Sequence, residues 1–521
     1  MKSNQFSILE DKKVTQLTAQ VETLTEQVNV LNNQLAWFKR QIFGRKSEKQ
    51  IIEDPLQMNL FELPEVTPSV PDEMTEVKTH KRKSSTQRSG DEVNDSGLRF
   101  DDSVPQKIIN VSVPELQGSD AAQYEVIGYK ETNRLAQQPG SYVVLVYRRP
   151  VVRHIKQQTL TTVAAPDNVL EGCYADVSVL AGMMVDKAVY HLPLYRQHQR
   201  LVDAGFQLSR ATLTNWIFKS IELLRPIYEA QRLNILKSLV LGMDEVPIKA
   251  GKKSKGKMNQ TYFWPIYGDS DEIAFTWSKT RGAAHAIEQL TGFSGTLITD
   301  GYQGYTKALK KLNEEDEKII HATCWVHLRR YFEKSLPMEP EAAQDALDMI
   351  AQLYLIEREI KGKKLNANKI KKHREKHSEP KVTAFFNWVY EQRQRIDLLP
   401  SNPLSKALHY ASERIAELKV FLSNPNVPMD TNHVERALRV IPMGRKNYLF
   451  CWSELGAEQL GILQSLMVTC RMQGINPYTY LVDVLQRVSQ HPASEIDALT
   501  PRVWKDKFAE NLLQSDLAIL G

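Results

Sequence analysis

The chain has 521 residues and carries 67 Lys+Arg against 62 Asp+Glu, a formal charge of +5, so affinity for a polyanion has to come from local basic patches rather than from the whole surface. Its four cysteines (Cys173, Cys324, Cys451 and Cys470) lie far apart with no Cys-x-x-Cys pair, which excludes a disulfide scaffold and a zinc ribbon. No apolar run approaches the ~18 residues that span a bilayer, and "MKSNQFSILEDKK" has no apolar signal core, so the expectation is a cytoplasmic protein of several domains without a membrane partner.

In chain order, the first element is a heptad. Val14, Leu17, Val21, Leu24, Val28, Leu31, Leu35, Phe38 and Ile42 recur in alternating steps of three and four residues. Valine at most a positions with leucine at d predicts a parallel two-stranded coiled coil over 8–49, and therefore a homodimer, whereas a helix folded onto its own protein would show a broader stripe. "FGRKSEK" follows with Arg45 and Lys46, and residues 50–103, low in apolar content and blocked in charge, are expected to be a flexible linker.

Residues 104–173 alternate as strands do, as in "SYVVLVYRRPVVRHI", and predict a small β-rich module in which Arg148, Arg149 and Arg153 are candidate DNA contacts. Residues 174–233 turn helical. "AGFQLSRATLTNWIFKSI" has the form of a helix, a turn at Gly205 and a second helix capped by Ser209, which resembles a helix-turn-helix presenting Arg210, Thr212 and Asn215. A plain helical hairpin fits the same pattern.

Over 234–334 the order is three strands, a helix, a fourth strand, a helix and a fifth strand, which suits an RNase H-like sheet in a multidomain α/β protein. Residues 335–428 read as a helical, basic insertion around "KGKKLNANKIKKHREK", residues 429–454 return to the core, and 455–521 form a C-terminal helical region.

Three carboxylates stand out. Asp244 follows the apolar run "LVLGM" and Asp300 follows "GTLIT", so each sits where a buried strand should deliver a side chain to the sheet surface, although a single Asp there also suits a turn or cap. Glu435 lies on a later helix, where Asn432-x-x-Glu435 also has the spacing of a capping box, so a purely structural role fits equally well. Carboxylates brought together raise one another's pKa unless a cation neutralises them, and hard oxygen ligands select Mg²⁺, which completes its shell with water and phosphate oxygens. Arg436, Arg439, Arg445 and Lys446 flank Glu435 as candidate phosphate contacts. The lone Cys324-x-x-His327 lacks the second pair that a zinc site needs, so no zinc is expected.

"FGRKSEK", "HLPLYRQ", "GMDEVPIK", "TDGYQGY", "CWVHLRRYF", "DTNHVERALR" and "GRKNYLF", in this order, resemble the insertion-sequence-66 family of bacterial DDE transposases. The resemblance implies an RNase H-like catalytic domain with Asp244, Asp300 and Glu435 as metal-binding triad, Mg²⁺ replaceable by Mn²⁺, and double-stranded DNA as partner in the form of terminal inverted repeats and target. It further implies a dimer or higher synaptic assembly, association with the nucleoid, and accessory proteins encoded by the element. Many members carry a cysteine-based zinc-finger segment where residues 91–165 here have no cysteine. The competing reading is a DNA-binding protein or repressor derived from such an element that no longer catalyses.

Overall fold

The computed structural model describes residues 98–519 except 101, 103, 118–120, 139–140, 157 and 316–317. The heptad residues Val14 to Phe38, the pair Arg45 and Lys46, and most of the expected linker lie outside the described residues. The linker expectation needs correction at its end. Leu98 and Val104 are buried in the main core, and Phe100 bridges to Phe206, so the fold begins inside the stretch read as flexible.

The first sheet contains β1 (Gln106–Asn110), β2 (Tyr124–Gln138), β3 (Ser141–His154) and β4 (Leu160–Thr161). β3 is central, with β1 parallel on one side, and β2 and β4 antiparallel. Both faces of β3 are covered, which accounts for its nearly unbroken apolar run. Tyr142, Val144 and Val146 join the main core, while Val143, Leu145 and Tyr147 pack with Leu517. Tyr147 also donates to Asp516 at 2.6 Å. Helices therefore cover one face of this β-rich module and the C-terminal segment the other.

Three helices follow, α1 (Val177–Ala188), α2 (Leu194–Asp203) and α3 (Arg210–Ile235). Gly205, at φ +91°, makes the turn between α2 and the segment leading to α3, and Ser209 caps α3 by accepting from the Thr212 amide at 3.0 Å. Trp216, Ile217, Ile221, Leu224 and Ile227 bury one stripe of α3 in the main core, which leaves its first turn as the accessible part.

The second sheet positions the acidic residues. β5 (Val240–Met243) and β6 (Val246–Ser254) each pair antiparallel with β7 (Lys257–Tyr267), which pairs antiparallel with β8 (Ile273–Ser278), while β9 (Thr296–Thr299) pairs parallel with β5 and β10 (Ile320–Thr323) parallel with β9. Across the sheet the order is β8, β7, β5, β9, β10, with β6 continuing the line of β5 along β7. The central parallel strands β5 and β9 are four-residue runs buried throughout, as strands covered on both faces must be, while the edge strand β10 exposes Ile320. α4 (Ala283–Leu290) and α5 (Gln303–Glu314) connect them and bury Ala286, Leu290, Tyr305 and Ala308 in the main core.

Residues 325–423 form six helices, α6 (Trp325–Ser335), α7 (Pro340–Gly362), α8 (Ala367–His377), α9 (Glu379–Arg393), α10 (Pro403–Ser412) and α11 (Ile415–Ser423). Their core, built on Trp325, Phe332, Phe385 and Phe421, includes Val240, Ile298 and Ala322 of the sheet, so the insertion is anchored on the strands. Its basic character is partly structural: Arg374 is buried, pairs with Glu357 and donates to the carbonyls of Phe421, Asn424 and Val427.

The chain then returns to the sheet through α12 (Asn432–Leu438) and α13 (Val440–Tyr448), and α14 (Glu454–Met472) runs along the edge strand β8. The open amides of that edge are taken by hydroxyls of the helix. Ile273 N donates to Thr469 at 3.2 Å and Phe275 N to Ser465 at 2.8 Å, which closes an edge that would otherwise offer itself for strand pairing. α15 (Pro477–Arg487), capped by Asn476, α16 (Pro501–Lys507) and α17 (Asp516–Ile519) complete the fold. Among the described residues no helix is long and apolar enough to cross a membrane.

Candidate active site

Strand register brings the first two carboxylates together. Val240, Leu241 and Gly242 of β5 pair in parallel with Thr296, Leu297 and Ile298 of β9, so Asp244 and Asp300, each one residue beyond its strand, leave the sheet at the same level. The same register carried to β10 places Cys324 level with them. Asp244 Oδ1 accepts from the Glu245 amide at 2.8 Å, and Asp300 Oδ1 accepts from the Tyr302 amide at 2.8 Å. The turn after Asp300 needs Gly301, at φ +80°, because a Cβ there would meet Arg414 Nε at 2.6 Å.

The sequence pattern assigned Glu245 no role, yet it belongs to this group: one carboxylate oxygen each from Asp244, Glu245 and Asp300 lie within 4.8 Å of one another. The Glu245 side chain is only 2 % exposed. It accepts from Tyr305 Oη at 2.7 Å and from Arg281 Nε at 2.5 Å, and the Arg281 guanidinium in turn lies over the Tyr302 ring. Burial, reinforced by the charges of Asp300, Glu245 and Glu435, pushes the Asp244 carboxyl up to about 7. Burial also raises Glu245, against the opposing hydrogen bonds from Tyr305 and Arg281. The donor set is all oxygen, hard and crowded with negative charge, which fits a divalent cation such as Mg²⁺.

Glu435 stands beside this group and is held differently. Gly242 allows α12 to approach β5, since a Cβ at that position would lie 2.5 Å from Val434 Cγ2. Cys324 Sγ accepts from the Thr431 amide at 3.3 Å, and Trp325 N donates to Met429 O at 3.1 Å, so the start of α6 secures the segment that leads into α12. The capping box is corrected. The N-cap is Thr431, one residue earlier, because Asp430 takes both the Asn432 amide at 3.0 Å and its side chain at 2.9 Å. Glu435 turns away from the cap: its Oε2 accepts from Arg330 at 2.5 Å, and its Oε1 lies 3.6 Å from His327 Nε2. That Oε1 is buried without a hydrogen-bond partner, as is His327 Nδ1. Burial lowers the His327 pKa and favours the neutral ring. The metal-competent group among the described residues is Asp244, Glu245 and Asp300; neither Cys324 nor His327 belongs to it.

The candidate DNA contacts are scattered in kind. Arg210 is exposed above the Tyr195 ring, Thr212 is half-buried and Asn215 exposed, all in the first turns of α3. Arg436, Arg439 and Lys446 are exposed on α12 and α13 and at their junction. Arg148 and Arg153 are solvent-facing but paired with Glu131 and Glu125. Two expectations fail on geometry. Arg149 is buried and donates to Val163 O and Thr132 Oγ1, so it holds the sheet together and cannot reach a phosphate. Arg445 is committed to Pro247 O at 2.5 Å and ties α13 to β6.

A family model described as "Transposase IS66 family" matches residues 172–459, one described as "IS66 C-terminal element" matches 465–502, and one described as "Transposase C of IS166 homeodomain" matches 30–92. Three proteins of Sinorhizobium fredii (strain NBRC 101917 / NGR234) are similar over most of their length. The uncharacterized protein y4qI is 30% identical over 409 residues, covering 76% of this chain and 75% of its own. The uncharacterized protein y4jD is 26% identical over 94% of this chain and 97% of its own, and the uncharacterized protein y4hP is 25% identical over 91% and 88%.

Proposed function

The chain belongs to the IS66 transposase family, and from that premise we propose that it binds the terminal inverted repeats of its insertion sequence and catalyses metal-dependent cleavage and strand transfer of DNA. The observation that carries the proposal is the convergence of Asp244, Glu245 and Asp300 at the ends of two neighbouring parallel strands. The strand order β8, β7, β5, β9, β10 and the long connection to the Glu435 helix support reading this sheet as RNase H-like. The homeodomain-like match at 30–92 supports DNA binding, and it lies N-terminal to the helix pair read as a helix-turn-helix at 174–233.

In this reading Asp244 and Asp300 hold Mg²⁺, with Mn²⁺ able to substitute, and Glu435 completes the site. The bound ion supplies positive charge at the scissile phosphate and activates the attacking oxygen. Glu245 keeps Arg281 and Tyr305 against the cluster, which stiffens the strand end that carries Asp244. Arg330 holds Glu435 by one oxygen and leaves the other buried without a hydrogen bond, 3.6 Å from His327 Nε2. Cys324 and His327 brace the Glu435 helix rather than bind metal. The coiled coil at 8–49 would dimerise the protein, and Arg210, Thr212, Asn215, Arg436, Arg439 and Lys446 remain candidate DNA contacts.

The test is Mg²⁺- or Mn²⁺-dependent nicking of DNA carrying the element's own ends, with Glu435→Gln as comparison. Wild type is expected to nick and the variant to lose at least ~100-fold, the scale for a group that acts on transition-state charge. Equal cutting by both would remove Glu435 from the site, and no cutting by wild type would favour the non-catalytic binder.

A further inference from the structure

We propose that the loop between α13 and α14, centred on Trp452, forms one DNA-binding surface with the hairpin of β6 and β7. Trp452 stacks on an unpaired base, and the hairpin lysines hold the adjoining phosphates. The inference rests on DNA being the substrate, as argued above, and adds a site outside the acidic cluster.

Trp452 is 76% exposed with its ring 5.9 Å from that of Phe450, and Met443, Leu449 and Leu455, on the same loop and its flanking helices, are each about half exposed or more. Scattered apolar residues are ordinary on a surface, but a group this dense marks an interaction site. Its support is rigid. Cys451 is buried and clamped to β6, its amide donating to Lys249 O at 2.8 Å and its carbonyl accepting from Gly251 N at 3.2 Å. On the other side Ser453 caps α14, accepting from Gly456 N at 3.0 Å. Leu449 adopts φ 65° and ψ −49°, and Phe450 N donates to Tyr448 O at 2.7 Å, which is a γ-turn of the hand that L-residues rarely adopt. A bulky residue in such a turn is costly, and costly backbone of this kind collects at functional sites.

Charge selects the occupant. Lys249, Lys252, Lys253, Lys255 and Lys257 fall within nine residues that contain no acid, and all five are exposed. An apolar protein partner would have no use for this density of ammonium groups, whereas a nucleic acid uses both halves: phosphates pair with lysine, and any base stacks on an indole. Distance bounds which base. Asp244 and Ala250, the residue of β6 that bridges Cys451, are separated by about six residues of extended chain, at most ~20 Å, or about six base steps. The base on Trp452 therefore lies within about six nucleotides of the cleavage position.

The experiment uses the full chain in EDTA, so that binding is read without cleavage, with a fluorescent 20-nucleotide oligothymidine and a 20-base-pair duplex as probes. Trp452→Ala is expected to weaken binding of the oligothymidine roughly ten-fold and the duplex much less, while Trp452→Phe stays within about three-fold of wild type. Changing Lys252, Lys253 and Lys255 to Gln together is expected to lower the salt dependence for the oligothymidine by about two logarithmic units per decade of salt. Unchanged oligothymidine affinity in Trp452→Ala overturns the proposal. So does a fall in oligomeric size of that variant by light scattering at constant DNA affinity, which would assign the patch to a second copy of the chain. Because no cleavage is read, loss of stacking and loss of nicking fail separately: a chain that never nicks can still show the Trp452 effect.

Discussion

The carboxylates at the ends of β5 and β9 and the carboxylate on α12 were expected to act as one set, yet they stand in opposite electrostatic conditions. Asp244 sits among Glu245 and Asp300 with no cationic side chain bonded to it, and its carboxyl is pushed up to about 7. Glu435, close enough for its charge to reach Asp244, already has a guanidinium at 2.5 Å and an imidazole nearby. Among the described residues Asp244 and Asp300 thus have no cationic side chain paired with them, whereas Glu245 beside them has Arg281 and the helix acid has Arg330. In the proposed function a cation would therefore be drawn first to the strands, and Glu435 would join only by giving up part of its hold on Arg330.

The largest expected effect breaks the strand side. Asp244→Asn or Asp300→Asn should lower nicking by at least ~1,000-fold while DNA affinity, measured in EDTA, stays within a few-fold of wild type. The next breaks the contact between the two sides. Gly242→Val drives a branched side chain into Val434 on α12, and displacing Glu435 by about 1 Å should cost roughly 100-fold in nicking. Metal-free stability gives a third test. With the Asp244 carboxyl raised to about 7, the folded protein binds a proton that the unfolded chain has already released, so stability falls as pH rises from about 4 to about 7 and then levels. Asp244→Asn should flatten most of that slope, leaving the share of Glu245, and stabilise the metal-free protein at pH 8 by about 1–3 kcal/mol, as read by urea unfolding at pH 5 and pH 8. The smallest effect sharpens the helix side: Arg330→Gln, by freeing Glu435, should tighten Mn²⁺ binding by about three-fold.

Asp244 and Asp300 were legible because a short apolar run ending on an acid is what a buried parallel strand looks like, and their equal offset from paired residues fixes the level. Glu245 was not, because nothing in the chain order says that the residue after Asp244 turns inward to Arg281 and Tyr305; two consecutive acids at a strand end were the available signal. Arg149 was misread as a DNA contact although the two-residue period of a strand places it on the face of Val143, Leu145 and Tyr147, which is buried. The cap of α12 was one residue out because Asp430 competes for Asn432, a local choice between similar polar side chains that spacing rules do not resolve. The insertion's anchorage on Val240, Ile298 and Ala322 is a contact between distant segments and leaves no periodic trace in sequence.

The central claim, that the strand acids make the cation site, is tested most directly by titrating Mn²⁺ into the metal-free protein and reading the free ion by electron paramagnetic resonance. Wild type should bind, Asp244→Asn should lose at least ten-fold in affinity, and Glu435→Gln should lose only a few-fold. Binding by Asp244→Asn equal to wild type, or a larger loss in Glu435→Gln than in Asp244→Asn, would contradict it.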